Sequence, residues 1–309
     1  MGLVGPPDMT KVLLTGSSGF LGRHIIQEMC QDFSLITLAH SDADICVDLS
    51  ADTFFELPVV DMVIHAAGLA HLVNFKPSSV DPFDLVNVSG TTRLLDAIKA
   101  SGKLPRSFVF ISSVAVYGKE EGQQYDEDTP LGALDPYGVS KIKAERVVID
   151  WCESNSVSYL ILRLPLLVGN NPPGNLGHMI DAIKRDRFFT VGNGAAKKSM
   201  VMATDVAKCI ATSYHKTGIF NLTDGYHPSM GELSCHIALQ LGKKRPLRLP
   251  YFFVKLGAFL GDLLGDRFPI NSRRLVKLMT TLTFDDAKAR RELEWSPTKV
   301  LQAFKPTTR

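Results

Sequence analysis

A phenol and an ammonium stand four residues apart in "DPYGVSK", residues 135–141: Tyr137 and Lys141. On a helix that spacing puts both on one face. Asp135 fits the N-cap and Pro136 the first helical position, so a helix is predicted to open at the pair. A tyrosine ordinarily titrates at about 10, too high for efficient base work at neutral pH. A neighbouring ammonium favours the phenolate and lowers that value. The pair can then exchange a proton with a hydroxyl or carbonyl oxygen. A lone Tyr-x-x-x-Lys is common by chance, and an incidental tyrosine on a surface helix reads the same way. "FVFISSVAVYG", residues 108–118, raises its value: an apolar run ends in Ser112 and Ser113. At the carboxyl end of a buried strand, Ser113 can hydrogen-bond the oxygen that Tyr137 serves, although strand-end serines also make local backbone bonds.

These groups need something to react with, and "KVLLTGSSGFLGRH", residues 11–24, points to it. An apolar run meets Gly16, Gly19 and Gly22. A strand, a glycine-rich turn and a helix together make a phosphate site, because the helix N-terminus presents unpaired N–H groups and partial positive charge. Glycine also lets a pyrophosphate approach the backbone. The spacing is G-x-x-G-x-x-G, and its place at the first strand–helix junction makes a dinucleotide the expected ligand. The next strand would normally end in an acid for the ribose hydroxyls. Here Ala39 stands at that position, followed by His40 and Ser41. Both can donate to a 2′-phosphate, so the cofactor is NADP or NAD with a lean to NADP; Asp42 could still reach a ribose.

β-type runs at 11–15, 35–39, 45–47, 62–66, 107–112 and 159–164 alternate with helical patterns at 21–31, 80–101 and 136–154. Apolar strands between helices predict an α/β fold, a Rossmann-type doubly wound parallel sheet with a smaller C-terminal α/β substrate lobe. After Arg163 the texture changes, with a turn-rich "GNNPPGN" at 169–175, a helix near Thr204 and a strand at "GIFNLTD", 218–224. The expected division assigns 9–167 and 203–225 to the NAD(P)-binding domain, and 168–202 and 226–309 to the substrate lobe, with a cleft between them.

Composition closes off other classes. The 309 residues carry a formal net charge of +2 and 45% apolar side chains. There is no electrostatic footprint for nucleic acid. The cysteines at 30, 46, 152, 209 and 235 include no CxxC, so buried free thiols in a reducing compartment are expected, with no metal. "MGLVGPPD" is not a secretory signal, Met9 is a second candidate start, and a cytoplasmic enzyme is the expectation. "LPYFFVKLGAFLGDLLG", 249–265, is interrupted by Lys255 and Asp262. It reads as a buried or groove-lining helix rather than an integral membrane span, with a membrane-surface helix as the alternative.

The ordered set Gly16-x-x-Gly19-x-x-Gly22, "DLS" at 48–50, "HAAG" at 65–68, "NVSGT" at 87–91, "SSVAVYG" and Tyr137-x-x-x-Lys141 resembles the extended short-chain dehydrogenase/reductases. More narrowly it resembles the NAD-dependent epimerase/dehydratase family acting on nucleotide sugars. That resemblance implies Tyr137 as acid/base, Lys141 as its electrostatic partner and ribose ligand, and Ser113 as substrate anchor. It implies that Asp48 and Leu49 edge the adenine and that Ala66, Ala67 and Gly68 line the cofactor groove. Ser18, Phe20, Leu21, His40, Asn87, Ser112 and Leu164 join the implied cofactor contacts. His71, Asn175 and Lys198 are the implied contacts of a UDP-sugar, with Lys197 competing with Lys198 and Asp205 opening the next helix. A homodimer through the helices at 80–101 and 136–154 is a further implication.

Dehydratases of the family place an Asp-Glu pair after the anchoring hydroxyl residue; Val114 and Ala115 stand there and argue against dehydration. "RLPL" at 163–166 stands where UDP-galactose 4-epimerases carry "RYFN". The pattern resembles a branch of bacterial surface-polysaccharide synthesis, and an apolar Leu164/Leu166 wall would suit a 6-deoxy methyl. The leading expectation is therefore an NAD(P)H-dependent 4-reductase of a UDP-4-keto-6-deoxy-N-acetylhexosamine. The alternative is a UDP-hexose or UDP-N-acetylhexosamine 4-epimerase with retained NAD. A non-catalytic dinucleotide-binding sensor is the reading from a different class. Replacing Tyr137 with Phe is expected to lower turnover by roughly 10²–10⁴-fold with the fold intact; near-normal steady-state rates would remove Tyr137 from the chemistry.

Overall fold

Val12, Leu13 and Leu14 are fully buried in succession, which an interior parallel strand allows and a half-exposed one does not. In the computed structural model, which describes residues 9–70, 81–264 and 272–306, they form β1 (Lys11–Thr15). The strands follow as β2 (Ser34–Ala39), β3 (Ile45–Cys46), β4 (Met62–His65), β5 (Ser107–Ser113), β6 (Gly122–Tyr125), β7 (Ser158–Leu164), β8 (Leu166–Val168), β9 (Phe189–Val191), β10 (Met200–Met202), β11 (Gly218–Asn221), β12 (Leu247–Leu249) and β13 (Leu282–Phe284). The helices are α1 (Phe20–Met29), α2 (Gly90–Ala100), α3 (Pro136–Ser154), α4 (Gly174–Lys184), α5 (Ala203–Ser213), α6 (Met230–Gln240), α7 (Tyr251–Leu264), α8 (Ser272–Met279), α9 (Ala287–Glu292) and α10 (Val300–Ala303).

Seven strands form one parallel sheet in the order β11-β7-β5-β4-β1-β2-β3. The direction of winding reverses between β1 and β4, so a crevice opens there beyond the strand ends. One face is covered by α1 and α5, which bury Leu21, Ile25, Met29, Val206 and Ile210. The other is covered by α2 and α3, through Leu94, Leu95, Ile98, Ala144 and Val148. A separate core gathers Val168, Leu176, Ile180, Met200, Leu233, Ile237 and Val300 from α4, α6, β8, β10 and α10, with Phe304 just beyond α10. The doubly wound expectation holds, and α3 has the bounds read from the sequence.

The differences have physical causes. The helix expected over 80–101 is two pieces, a π-helical stretch Asp84–Ser89 continuing into α2, and Val80 lies outside the described residues. The strand expected over 218–224 stops at Asn221, because the Asp224 carboxylate instead accepts from the backbone N–H groups of Tyr226, His227 and Val300. All five cysteines are free, but Cys30 and Cys46 are exposed rather than buried. The helix expected at 249–265 to be buried or groove-lining is only partly buried: α7 buries Val254 and Ala258 and leaves Tyr251, Phe252, Phe253 and Leu256 exposed, and residue 265 lies outside the described residues. Among the described residues, no helix is long and apolar enough to cross a membrane.

One buried ion pair ties the sheet to α3. Arg163 on β7 donates to both oxygens of Glu145 on α3, at 3.0 and 2.7 Å. Ser112 at the end of β5 donates to the same carboxylate, and Arg163 also donates to the Tyr117 hydroxyl, which in turn donates to Asn221 on β11. Both charged side chains are almost fully excluded from water. Removing one partner leaves the other buried and unpaired. Glu145→Ala is expected to cost about 3–5 kcal/mol of stability, read as a lower midpoint in urea unfolding; an unchanged midpoint would show that water or a neighbour already satisfies Arg163.

Candidate active site

Three glycines shape the crevice, each for its own reason. Gly16 adopts φ +70°, and a Cβ there would lie 2.6 Å from the Ala67 backbone nitrogen. A Cβ on Gly22 would lie 2.2 Å from the Gly16 carbonyl oxygen. Those two glycines are required by the chain's own backbone crowding at the β1/β4 switch, ahead of any ligand. Gly19 is the N-cap of α1, with no side-chain cap and no acid in the first turn. The N–H groups at the start of α1 therefore face the crevice without protein acceptors supplied by a cap, a fitting environment for a pyrophosphate.

The crevice is about 1030 Å³ and is lined by Gly16, Gly19, Phe20, Leu21, Gly22, Ala66, Gly68, Ile111, Ser112, Ser113, Tyr137, Lys141 and Leu164, among others. The carboxyl ends of β1, β4, β5 and β7 and the first turn of α3 bring these together. At α3, Asp135 accepts from the Gly138 N–H at 3.0 Å, as its N-cap position predicts. Gly138 is tightly enclosed, since a Cβ there would lie 2.6 Å from that of Ala133. This locks the turn that carries Tyr137, whose ring packs against Phe83 at 5.9 Å between centroids.

Lys141 is buried and donates to the Ile111 carbonyl at 2.9 Å. Burial pulls its pKa down to about 8, against the opposing influence of Glu145. Burial raises the Tyr137 pKa, a hydrogen bond with Ser113 pulls the other way, and the Asp135 charge adds to the rise. This corrects the expectation of a lowered phenol: desolvation outweighs the stabilisation of phenolate in the free site. Tyr137 therefore rests as a proton donor. Ser113 accepts from the Ala115 N–H at 3.2 Å, which leaves its own O–H to donate. A phenol, a hydroxyl and an ammonium facing one crevice can protonate, or deprotonate, an oxygen held between them.

Other expected contacts lie elsewhere or are already engaged. Ser112 lines the crevice, but its hydroxyl is committed to Glu145. Asn87 is buried behind the wall; its amide bonds to Leu69 at both backbone groups and to Ser140, so it holds the Gly68–Leu69 loop rather than facing the crevice. Ala67 is anchored by its N–H to the Thr15 hydroxyl. Leu49 is packed in the core, and its carbonyl accepts from Arg93. Asp48 is exposed, and its carboxylate accepts from the Ser50 hydroxyl and N–H, which holds its pKa below the usual range. Ser18 and His40 are exposed, in the glycine turn and just after β2. Asn175 is exposed on α4 and is not among the lining residues. His71 lies outside the described residues.

Lys198 is half-buried, and its pKa is lowered first by burial and then by the charge of Lys277. Lys197, its competitor, is exposed. Lys277 on α8 lines the crevice; Lys198 lies near enough to feel its charge but is not among the lining residues. Leu164, Leu166 and Leu167 form an apolar wall with Pro165. Phe83 and Lys277 were not found from the sequence: neither lies in a motif, and Lys277 reaches the site only through the fold of α8.

A doubly wound sheet whose switch-point crevice holds a glycine-rich helix start defines a dinucleotide-binding α/β enzyme. The chain belongs to the NAD dependent epimerase/dehydratase family, whose family model matches residues 12–222. A relative from Escherichia coli O157:H7, "N-acetyl-alpha-D-glucosaminyl-diphospho-ditrans,octacis-undecaprenol 4-epimerase", is 29% identical over 90% of this chain and 88% of its own length. "UDP-glucose 4-epimerase" of Vibrio cholerae is 26% identical over 96% of this chain and 94% of its own. The solved structure "MoeE5 in complex with UDP-glucose and NAD" superimposes with a TM-score of 0.72 at 20% identity, covering 96% of this chain and 97% of the other, a likeness of fold.

The depressed Lys141 pKa has a stability consequence. The unfolded chain holds that proton up to its ordinary value, whereas the folded chain releases it near pH 8, so folding gains stability as pH rises between the two values. Below pH 8 the buried charge is a full cost. Lys141→Met is expected to abolish turnover yet raise Tm at pH 7, with the gap over the unmodified protein shrinking from about pH 8 to about pH 10.5. A lower Tm at pH 7 would mean that the ammonium's bonds outweigh its desolvation.

Proposed function

We propose that the protein is a 4-epimerase of a diphosphate-linked hexose or N-acetylhexosamine, UDP-N-acetylglucosamine being the first substrate to try, and that it retains NAD through the cycle. The observation that carries this reading is the convergence of Ser113, Tyr137 and Lys141 on one crevice that Lys277 also lines. The relatives named as 4-epimerases favour this over the 4-reductase of a 4-keto-6-deoxy sugar, because they match along nearly the whole chain. The bare side chains of Val114 and Ala115, just past Ser113, support the absence of a dehydratase's water-removing pair.

When bound, the dinucleotide supplies the hydride acceptor and, once reduced, the donor. The residues present fit it: the uncapped start of α1 for pyrophosphate, Ala66 and Gly68 for the groove, and Lys141 for a ribose. His40 and Ser41 after β2, with no strand-end acid, would also admit a 2′-phosphate. Ser113 donates to O4 of the sugar and holds it against Tyr137. Tyr137 first gives its own proton to solvent, the Lys141 ammonium favouring the phenolate; the phenolate then takes the O4 proton as the C4–H bond breaks and returns it when that bond re-forms on the opposite face. A buried Lys141 ammonium stabilises the transient phenolate. Lys198 and Lys277 grip the diphosphate as a pivot. The wall of Leu164 and Leu166 makes no directional bonds, so the keto sugar is free to turn between the two half-reactions. In this reading 9–167 and 203–225 carry the dinucleotide, and 168–202 with 226–309 carry the sugar diphosphate.

The test is a cofactor balance on protein reconstituted with NAD and given UDP-N-acetylglucosamine. The expected result is UDP-N-acetylgalactosamine, approached from either side to one equilibrium ratio, with no net change in reduced-nicotinamide absorbance. Stoichiometric consumption of added NADPH by a UDP-4-keto-6-deoxy-N-acetylhexosamine, with no epimer formed, would replace this reading with the reductase.

A further inference from the structure

We infer that the exposed face of α7 and the basic segment before it form a docking surface for an anionic membrane. On a helix each residue turns about 100°, which sets Phe252, Phe253 and Leu256 on one side and Val254 and Ala258 about half a turn away. The buried side packs against Leu275 of α8. The other side carries Phe252 at 72% exposure, Phe253 at 65% and Leu256 at 54%, and Leu247 on β12 adds 70%. Isolated exposed apolar residues are ordinary, but aromatic and leucine side chains grouped on one helix face are not.

Charge identifies the occupant. From Leu241 through Gly261 the chain carries five Lys or Arg and no Asp or Glu. Lys243 is paired with Asp186, whereas Lys244, Arg245, Arg248 and Lys255 are exposed. Apolar side chains that enter a lipid interface, flanked by cations that meet its headgroups, make an interfacial helix. A second copy of the chain is the weaker occupant, because a two-fold contact through this face would set one basic rim against another. The surface also adjoins the crevice: α8, which packs on α7, carries Lys277 at the rim. Docking therefore brings the crevice's cationic mouth close to the headgroup layer. This inference goes beyond the proposed epimerisation and does not depend on it.

The test is co-sedimentation of the full chain with vesicles of phosphatidylcholine containing phosphatidylglycerol, and with phosphatidylcholine alone. Binding to the anionic vesicles is expected to exceed binding to the neutral ones by at least about tenfold and to weaken in high salt. The double variant Phe252→Ser/Phe253→Ser is expected to lose binding while keeping its circular dichroism and its turnover of soluble substrate, and Lys244→Glu/Arg245→Glu to lose it through charge alone. Equal sedimentation of the serine variant, or no preference for anionic vesicles, would overturn the inference. So would a dimer of the unmodified chain, seen by analytical ultracentrifugation, that the serine substitutions split, since the face would then join two copies.

Discussion

A buried ammonium organises this site. Lys141 is nearly without solvent and keeps its charge through the Ile111 carbonyl and the field of Glu145. Ile111 is in β5 and Lys141 in α3, so the bond fixes the helix that carries Tyr137 against the strand that carries Ser113. Gly68 stands close by, where a Cβ would meet the Lys141 ammonium at 3.2 Å and the Asn87 amide oxygen at 3.1 Å. The lysine, the loop after β4 and the amide that clamps that loop are one packed unit, and each limits what the others can become.

Desolvation gives that unit its chemistry. It lowers the lysine pKa and raises the tyrosine pKa, so both groups are pushed towards their neutral forms. A site of this kind is costly to fold and useful once folded, because a small added charge in the crevice can move a proton between states. The buried Glu145–Arg163 pair behind it supplies the rigid support. The front is softer: an apolar leucine wall and Lys277, whose charge adds to burial in lowering the pKa of nearby Lys198. Proton-transfer groups at one end and an apolar wall at the other suit the proposed epimerisation, in which the substrate turns over between steps.

The sequence made the proton-transfer groups legible because they are local. Asp135, Pro136, Tyr137 and Lys141 sit within one turn and its continuation, and the glycine run sits on one strand–helix junction. The bounds of α3 followed from its cap. The short strands β8, β9, β10, β12 and β13 escaped because three residues hold no readable period. Lys277 escaped because its nearness to Lys198 is made by the fold. Resemblance placed Asn87, Ser112 and Asp48 near a cofactor, but only the structure showed their polar groups bonded to Leu69 and Ser140, to Glu145 and to Ser50. The choice between reductase and epimerase could not be read from these residues, since one Ser-Tyr-Lys set serves both reactions.

In the proposed cycle the C4 hydrogen leaves the sugar and returns to it within one crevice. The most direct measurement is mass spectrometry of the product from UDP-N-acetylglucosamine deuterated at C4. Epimer carrying the label still at C4, with none washed into solvent or into added dinucleotide, is the predicted result. Label appearing in free reduced cofactor, or epimer formed with the label lost, would contradict the account.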